Sequence, residues 1–240
     1  MFIDTKFNFY SDSKGGDPDL VSPTLKRYHQ ILWSKTLPNG KNFTLENKKG
    51  SYLYHNSELG EFFLGSDAIS YSYKNQKRKS WLICQVPNEA EELFKAISCI
   101  GSYIIFPNKQ INRKNTINQE RGFNKLIDDR FDLTLECIRL FYLGKVNPLY
   151  DVFNRYKDFF NLFVDFNGYI NFFLLQDLIE NGNIKFYLPF DKFKKPHSFL
   201  SIDEYLAYKA NVIHFVKSRN KRIKDYEKAL NKKTIKIPHL

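Results

Sequence analysis

The chain has 240 residues, 42% hydrophobic and 17% aromatic, enough to bury a sizeable core, and its net charge of +11 with a pI near 9.4 suits a polyanionic partner such as nucleic acid. The longest strongly apolar run, 169–179, is interrupted by Asn171, Gln176 and Asp177 and falls short of the roughly 18 residues of a membrane span. The start of the chain lacks a basic leader with a small-residue cleavage site, so a cytoplasmic location with no membrane partner is expected.

Taken in chain order, FIDTKFNFY alternates aromatic and polar residues and predicts a strand. Ser22 and Pro23 make an N-cap and first helical position for a helix over 24–33. LPNG at 37–40 is a turn, and short strands are predicted over 42–45, 51–55, 61–64, 69–73 and 102–106. A helix is predicted over 89–99. From Thr116 the pattern is mostly helical, over 117–126, 129–143, 148–163 and 169–179, with a returning strand over 184–189. Ser201 and Glu204 form a capping box for a long last helix. No composition shift marks a linker. The expectation is one α+β domain: a β-rich part over 1–106 with a small, mostly antiparallel sheet, packed on a helical part over 116–230, and a basic tail over 231–240.

The segment 115–142 places charged and amide groups in a stretch that reads as buried helix. At about 100° per residue, Asp129, Asp132, Glu136 and Arg139 fall within roughly 80° of one another. Apolar residues cover most of the remaining circumference. This stripe is either a thin solvated edge or the wall of a polar cleft. Asn118 and Arg121 precede it and suit an anion, while Arg121 or Arg130 could equally pair with the nearby aspartates in a structural network.

His29 lies at helical spacing between Leu25 and Trp33 and therefore faces the apolar side; it is either a satisfied core histidine or a general acid or base. His55 has Glu58 close by. With Glu136, these three make the expected catalytic set, whereas His197, His214 and His239 are set aside. The loop DSKGGDPD offers Asp17 and Asp19 as substrate contacts beside Arg121, Arg130, Asp132 and Arg139. It fails as a calcium loop, because Lys14 occupies a ligand position. Cys84, Cys99 and Cys137 are widely spaced, which argues against a disulfide scaffold or a structural zinc site. No metal is expected, and the sequence names no cofactor.

Two basic clusters stand out, Lys74 to Lys79 and the segment 217–236, which holds nine Lys or Arg against Asp225 and Glu227. Lys77, Arg78, Lys79, Arg219 and Arg222 are the expected nucleic-acid contacts, with a solvated lysine-rich face as the alternative. Walker A, GxGxxG, HExxH and GxSxG motifs are absent.

The stretches DPDLVSPTLKRYHQILWSKTLPNG, YLYHNSELGEFFLGSD, TINQERGFNKLIDDRFDLTLECIR and RYKDFFNLFVDFNGYINFFLLQDL resemble an uncharacterised bacterial domain-of-unknown-function family. The resemblance covers roughly 2–222 and implies that the tail beyond is peripheral. It carries no established activity. The leading expectation is an intracellular enzyme acting on a nucleotide or nucleic acid, in a toxin or phage-defence setting. The alternatives are a non-catalytic nucleic-acid-binding module and a protein-interaction module whose polar network only fixes the fold. The oligomeric state is not set by the sequence.

Overall fold

Local capping chemistry sets where the first helices begin. The computed structural model describes residues 2–196 and 199–235. Asp17 caps α1 (Pro18–Val21) by accepting the Asp19 backbone N–H, and Ser22 caps α2 (Pro23–Trp33) by accepting that of Leu25. Asp12 secures the corner between them, accepting the Ser22 hydroxyl at 2.6 Å and the Thr24 N–H at 3.1 Å. β1 (Lys35–Thr36) and β2 (Asn42–Phe43) form a short ribbon around the LPNG turn.

The main sheet is antiparallel, in the order β3 (Leu53–Ser57), β4 (Gly60–Ala68), β5 (Tyr103–Pro107). Its register pairs Leu53 with Leu64 and Asp67 with Ile104. Between β4 and β5 the chain forms α3 (Ser80–Ile83) and α4 (Pro87–Ile97). The helices α5 (Ile117–Phe123), α6 (Phe131–Tyr142), α7 (Tyr150–Arg155), α8 (Lys157–Asn161) and α9 (Phe166–Phe172) follow. A second ribbon, β6 (Ile179–Glu180) with β7 (Asn183–Ile184), precedes α10 (Ile202–Ile235). The architecture is α+β, as the periodicity predicts.

One apolar cluster runs from Ile3 to Ile223 and takes in residues of the main sheet and of most of the helices. Every residue of α6 from Phe131 to Ile138 is buried, so this helix is the axis of the helical layer. Beside it, Phe163, Tyr169, Phe172 and Phe173 pack with ring centroids as close as 4.8 Å, in tilted and edge-on pairs favoured by the ring quadrupoles. α10 closes over α4 and the turn at 100–102. Gly101 permits that approach: a Cβ there would stand 2.8 Å from the Val216 carbonyl oxygen.

Several predicted elements differ, each for a visible reason. The segment 2–10 is not a strand. Asp4 and Asn8 bend it by accepting the N–H groups of Lys6 and Tyr10, and a 3-10 turn forms at Phe9–Ser11. The predicted strand 69–73 has no strand partner, because hydroxyls from α10 take its place: Tyr208 bonds both backbone groups of Tyr71, and Tyr205 bonds the Ser72 carbonyl. The predicted strand 184–189 pairs only as β7, since the Tyr187 N–H is captured by the Asp132 carboxylate at 2.9 Å. α6 begins at Phe131 rather than Asp129, because Asp128 and Asp129 hold left-handed backbone at φ +50° and +61°. The predicted helix 148–163 is two helices, divided at Tyr156. The predicted helix 169–179 is α9 followed, after left-handed Leu174, by a 3-10 turn. Helix α5 stops at Phe123 rather than Leu126. Glu204 closes its capping box on the N–H of Leu200 rather than that of Ser201.

Arg219 of α10 pins the sheet to the helices. It is fully buried without a carboxylate partner and donates to the carbonyls of Gly101, Tyr103 and Phe173 at 2.9–3.0 Å. Arg219→Leu orphans three buried carbonyls, so its unfolding free energy should fall by about 3 kcal/mol or more in a urea titration.

Candidate functional site

The expected catalytic set does not assemble. His29 is fully buried, and Trp33 Nε1, which can only donate, bonds its Nδ1 at 2.9 Å. The proton must therefore sit on Nε2, which faces Ser66 Oγ at 2.9 Å. Burial, with the Arg219 charge nearby, pushes this imidazole down to about 3. Neutral and already protonated on Nε2, it cannot act as a base toward Ser66. His55 is buried, stacked between Phe43 and Phe62, and bonded to the Thr44 backbone and Ser57. Glu58 is exposed, with Lys41 at 3.9 Å. Glu136 forms a two-point ion pair with Arg139 at 2.7 and 2.8 Å.

The stripe on α6 is likewise divided into local pairs. Asp132 holds Arg130 and the Tyr187 N–H, and Asp129 lies outside the helix. Asn118 is exposed on α5. The expected nucleic-acid contacts are largely committed elsewhere. Lys79 is buried against Asp128, Arg219 is a core clamp, and Arg222 is paired with Asp177 at 2.9 Å. Arg78 reaches Asp128 and Asp129, which leaves Lys77 as the exposed member of the set without an ion pair among the described residues. His197, His239 and Lys236, with the tail beyond 235, lie outside the described residues.

What the fold does gather is a different set of acids. β4 carries Asp67 inward to form a buried ion pair with Arg121 of α5. Arg121 also donates to Thr134 Oγ1 of α6 at 3.0 Å and reaches the Asp129 carbonyl. The left-handed turn at Asp128 and Asp129 aims both carboxylates at Arg78, with Gln76 Nε2 on Asp129 at 3.3 Å. α1 packs against the end of β4 and brings Asp19 to Ser66 and the Ala68 backbone.

Ala68, next in the chain to Asp67, and Gln76 lie on the wall of a cleft of about 350 Å³ lined also by Tyr10, Asp17, Ser70, Tyr71 and Tyr103, while Asp19 and the buried Asp67 stand behind that lining. Asp19 is half-buried beside it, close enough for its charge to act on Tyr10, Tyr71 and Tyr103. Three buried oxygens here lack a hydrogen-bond partner: Asp19 Oδ1, Asp67 Oδ1 and Ser70 Oγ. Buried oxygens normally find donors; unpartnered groups also occur elsewhere in the fold, at the Tyr169 and Tyr187 hydroxyls for example, but these three, two of them on carboxyls, gather at one cleft that a ligand could complete.

The electrostatics separate the two carboxyls. Burial, reinforced by Asp67 and Asp17 and opposed by the Ser66 hydroxyl, raises Asp19 to about 8. Burial also raises Asp67, to about 6, because the Arg121 charge offsets much of the penalty. Burial alone would lower Arg121, but Asp67 and Asp129 more than compensate and keep it charged. Near pH 7, Asp19 is therefore a proton donor and Asp67 mostly an ionised acceptor. Environments that split two carboxyls in this way supply an acid and a base in one site. His29 contributes indirectly: its Nε2–H occupies Ser66 Oγ and leaves the Ser66 proton for Asp19.

Sequence spacing pointed to Asp17, Asp19 and Arg121 but missed Asp67, Ser70 and Tyr71, which sit in GSDAISY. An aspartate within an apolar strand was the available signal. Lys35 was missed as well. Burial lowers it to about 7 in a cage of Trp33, Phe172 and Tyr226, but its amine is held by the Phe172 carbonyl and no acid stands with it. Among the described residues, no group of three or more His, Cys, Asp or Glu is placed to hold a metal ion. The described helices include none long and apolar enough to cross a membrane.

A family model described as a family of unknown function, DUF6994, matches residues 3–223. No curated protein and no solved structure matches the chain.

Arg121→Met leaves Asp67 as an uncompensated buried charge and should lower stability by about 3–5 kcal/mol in chemical denaturation. The raised carboxyls also set a sign for pH. Folded Asp19 holds a proton that the unfolded chain releases, so stability falls as pH rises from about 4 to about 8. Asp19→Asn removes that loss, and its melting temperature should decline less than the wild type's between pH 6 and pH 9.

Proposed function

The chain belongs to the DUF6994 family, whose function is unknown, and from the cleft itself we propose that it is a cytoplasmic enzyme performing general acid–base chemistry on a nucleotide or on one nucleotide unit of a nucleic acid. The observation that carries this reading is the placement of the Asp19 and Asp67 carboxyls, each with an unpartnered oxygen and pushed up to about 8 and about 6, behind a cleft whose wall includes the unpartnered Ser70 hydroxyl. Asp19 donates a proton to the leaving group, and Asp67, kept mostly ionised by Arg121, accepts one from the attacking group. The two titrate as a coupled pair.

The lining suits the substrate class. Tyr10, Tyr71 and Tyr103 offer aromatic faces for a base, while Ser70, Ser72, Asn75 and Gln76 offer donors and acceptors for its edge or for a sugar. Arg78, half-exposed and bonded to Gln76 at 2.9 Å, stands near a position for a phosphate. A volume of about 350 Å³ is of the order of small-molecule sites.

The test is turnover of nucleotides and of short RNA and DNA by the wild type, Asp19→Asn, Asp67→Asn and Ser70→Ala. Circular dichroism would confirm that each variant is folded. Loss of about 10²-fold or more in kcat is expected for each aspartate variant. The wild-type rate should follow a bell with limbs near pH 6 and pH 8. Turnover that survives both aspartate substitutions unchanged would remove the proposal.

A further inference from the structure

On the other side of α4 from the cleft, a second groove of about 470 Å³ is lined by Lys6, Lys95, Lys217, Lys221 and Lys224, over a floor that includes Thr5, Ala96, Cys99 and Asn220. All five lysines are exposed. Lys95 shares Glu91 at 3.6 Å, whereas Lys6, Lys217, Lys221 and Lys224 have no ion pair among the described residues.

The three lysines from α10 belong to a longer row. At 100° per residue, Lys217, Lys221, Lys224, Lys228 and Lys232 lie within about 80° of one another on that helix. At 1.5 Å per residue the row extends about 22 Å. Asp225 flanks it, 3.8 Å from Lys228. Five cations in line at intervals of about 4.5–6 Å match an extended polyanion better than a single small phosphate. One nucleic-acid strand presents a charge about every 3.4 Å along its axis, so the row spans about six phosphates.

The floor and the opposite helix face narrow the partner further. No aromatic side chain lines the groove, so nothing there stacks on a base, and the contact is with the backbone. A membrane surface fits poorly. The opposite face of α10 spends Val212, Phe215, Val216 and Ile223 in the core, where they are not free to insert, and a concave groove does not lie flat on a bilayer.

We infer that the groove and the α10 lysine row form a sequence-independent binding track for the phosphate backbone of a nucleic acid, distinct from the acid–base cleft. The inference rests on the nucleic-acid reading above for the nature of the partner and on the lysines alone for its place. The same helix explains why Arg219 and Arg222 do not take part: they point toward the core and toward Asp177, off the row.

The test is fluorescence anisotropy with a labelled 20-base-pair duplex, and the same strand alone, at 50 and 200 mM salt. The proteins compared are the wild type, the triple variant Lys217→Glu, Lys221→Glu, Lys224→Glu, and Asp19→Asn. Vesicles containing anionic lipid serve as the competing surface. The wild type should bind at 50 mM salt and weaken steeply at 200 mM. The triple variant, whose substituted residues are all exposed, should keep its melting temperature, bind about tenfold or more weakly, and show a salt slope shallower by about three. Asp19→Asn should bind as the wild type does, so a failure of the cleft's chemistry shows in turnover and a failure of the track shows in affinity. Equal binding by the triple variant, no binding of either oligonucleotide at 50 mM salt, or binding to vesicles alone would each overturn the inference.

Discussion

The buried pair of Asp67 and Arg121 joins the two halves of this fold, and much of the structure's polar chemistry follows from it. A carboxylate carried into the core by β4 needs a cation, and α5 delivers one whose remaining donors reach Thr134 of α6 and the backbone at Asp129. Breaking such a pair costs several kcal/mol, because each charge is stranded in a medium that solvates it poorly. The sheet, α5 and α6 are thereby held in one arrangement. The pair also determines how the neighbouring acids behave. Arg121 holds Asp67 near neutrality rather than far above it, and Asp67 in turn helps to lift Asp19.

Around that link, the molecule meets the cost of other buried polar groups locally. Asp128 is shared by Lys79 and Arg78, Asp132 by Arg130 and the Tyr187 N–H, and both terminal nitrogens of Arg219 donate to carbonyls. Unpartnered buried groups also occur inside the fold, at the Tyr169 and Tyr187 hydroxyls and Arg219 Nε, but at Asp19, Asp67 and Ser70 they gather behind and along the cleft with the aromatic lining. The difference among the buried acids, fully paired at Asp128 and Asp132 but left with an unpartnered oxygen at Asp19 and Asp67, separates the candidate site from the structural network. The mixed-sign stripe on α6 falls on the structural side of that line. The lysine row on α10 lies apart from both, on solvent.

The elements were legible where a side chain acts on its own neighbours. Ser22 with Pro23 marks the start of α2, Ser201 caps the start of α10 by accepting the Glu204 N–H, and the apolar circumference of α6 foretells a helix buried on nearly every side. Prediction failed where a distant group intervened. Hydroxyls of Tyr205 and Tyr208, more than 130 residues away, take backbone groups of Tyr71 and Ser72 that a strand partner would have used. The site was legible only in part, for the same reason. Asp19 and Arg121 could be singled out by type, but the burial that lifts Asp19 comes from α1 folding onto the end of β4, and no spacing in the chain encodes it.

By itself, then, the sequence determined the α+β class, the start of a helix capped by its own neighbours such as α2, the positive charge and the lysine periodicity, since all of these rest on composition or on contacts within a few residues. Tertiary structure decided which charges are used and which are free. It sealed His29 behind Trp33 and Ser66, committed Lys79 and Arg219 to the interior, and left Lys217, Lys221, Lys224, Lys228 and Lys232 of α10 in solvent. A charged side chain's role depends on its solvation and its partners, and both are set by segments far away in the chain.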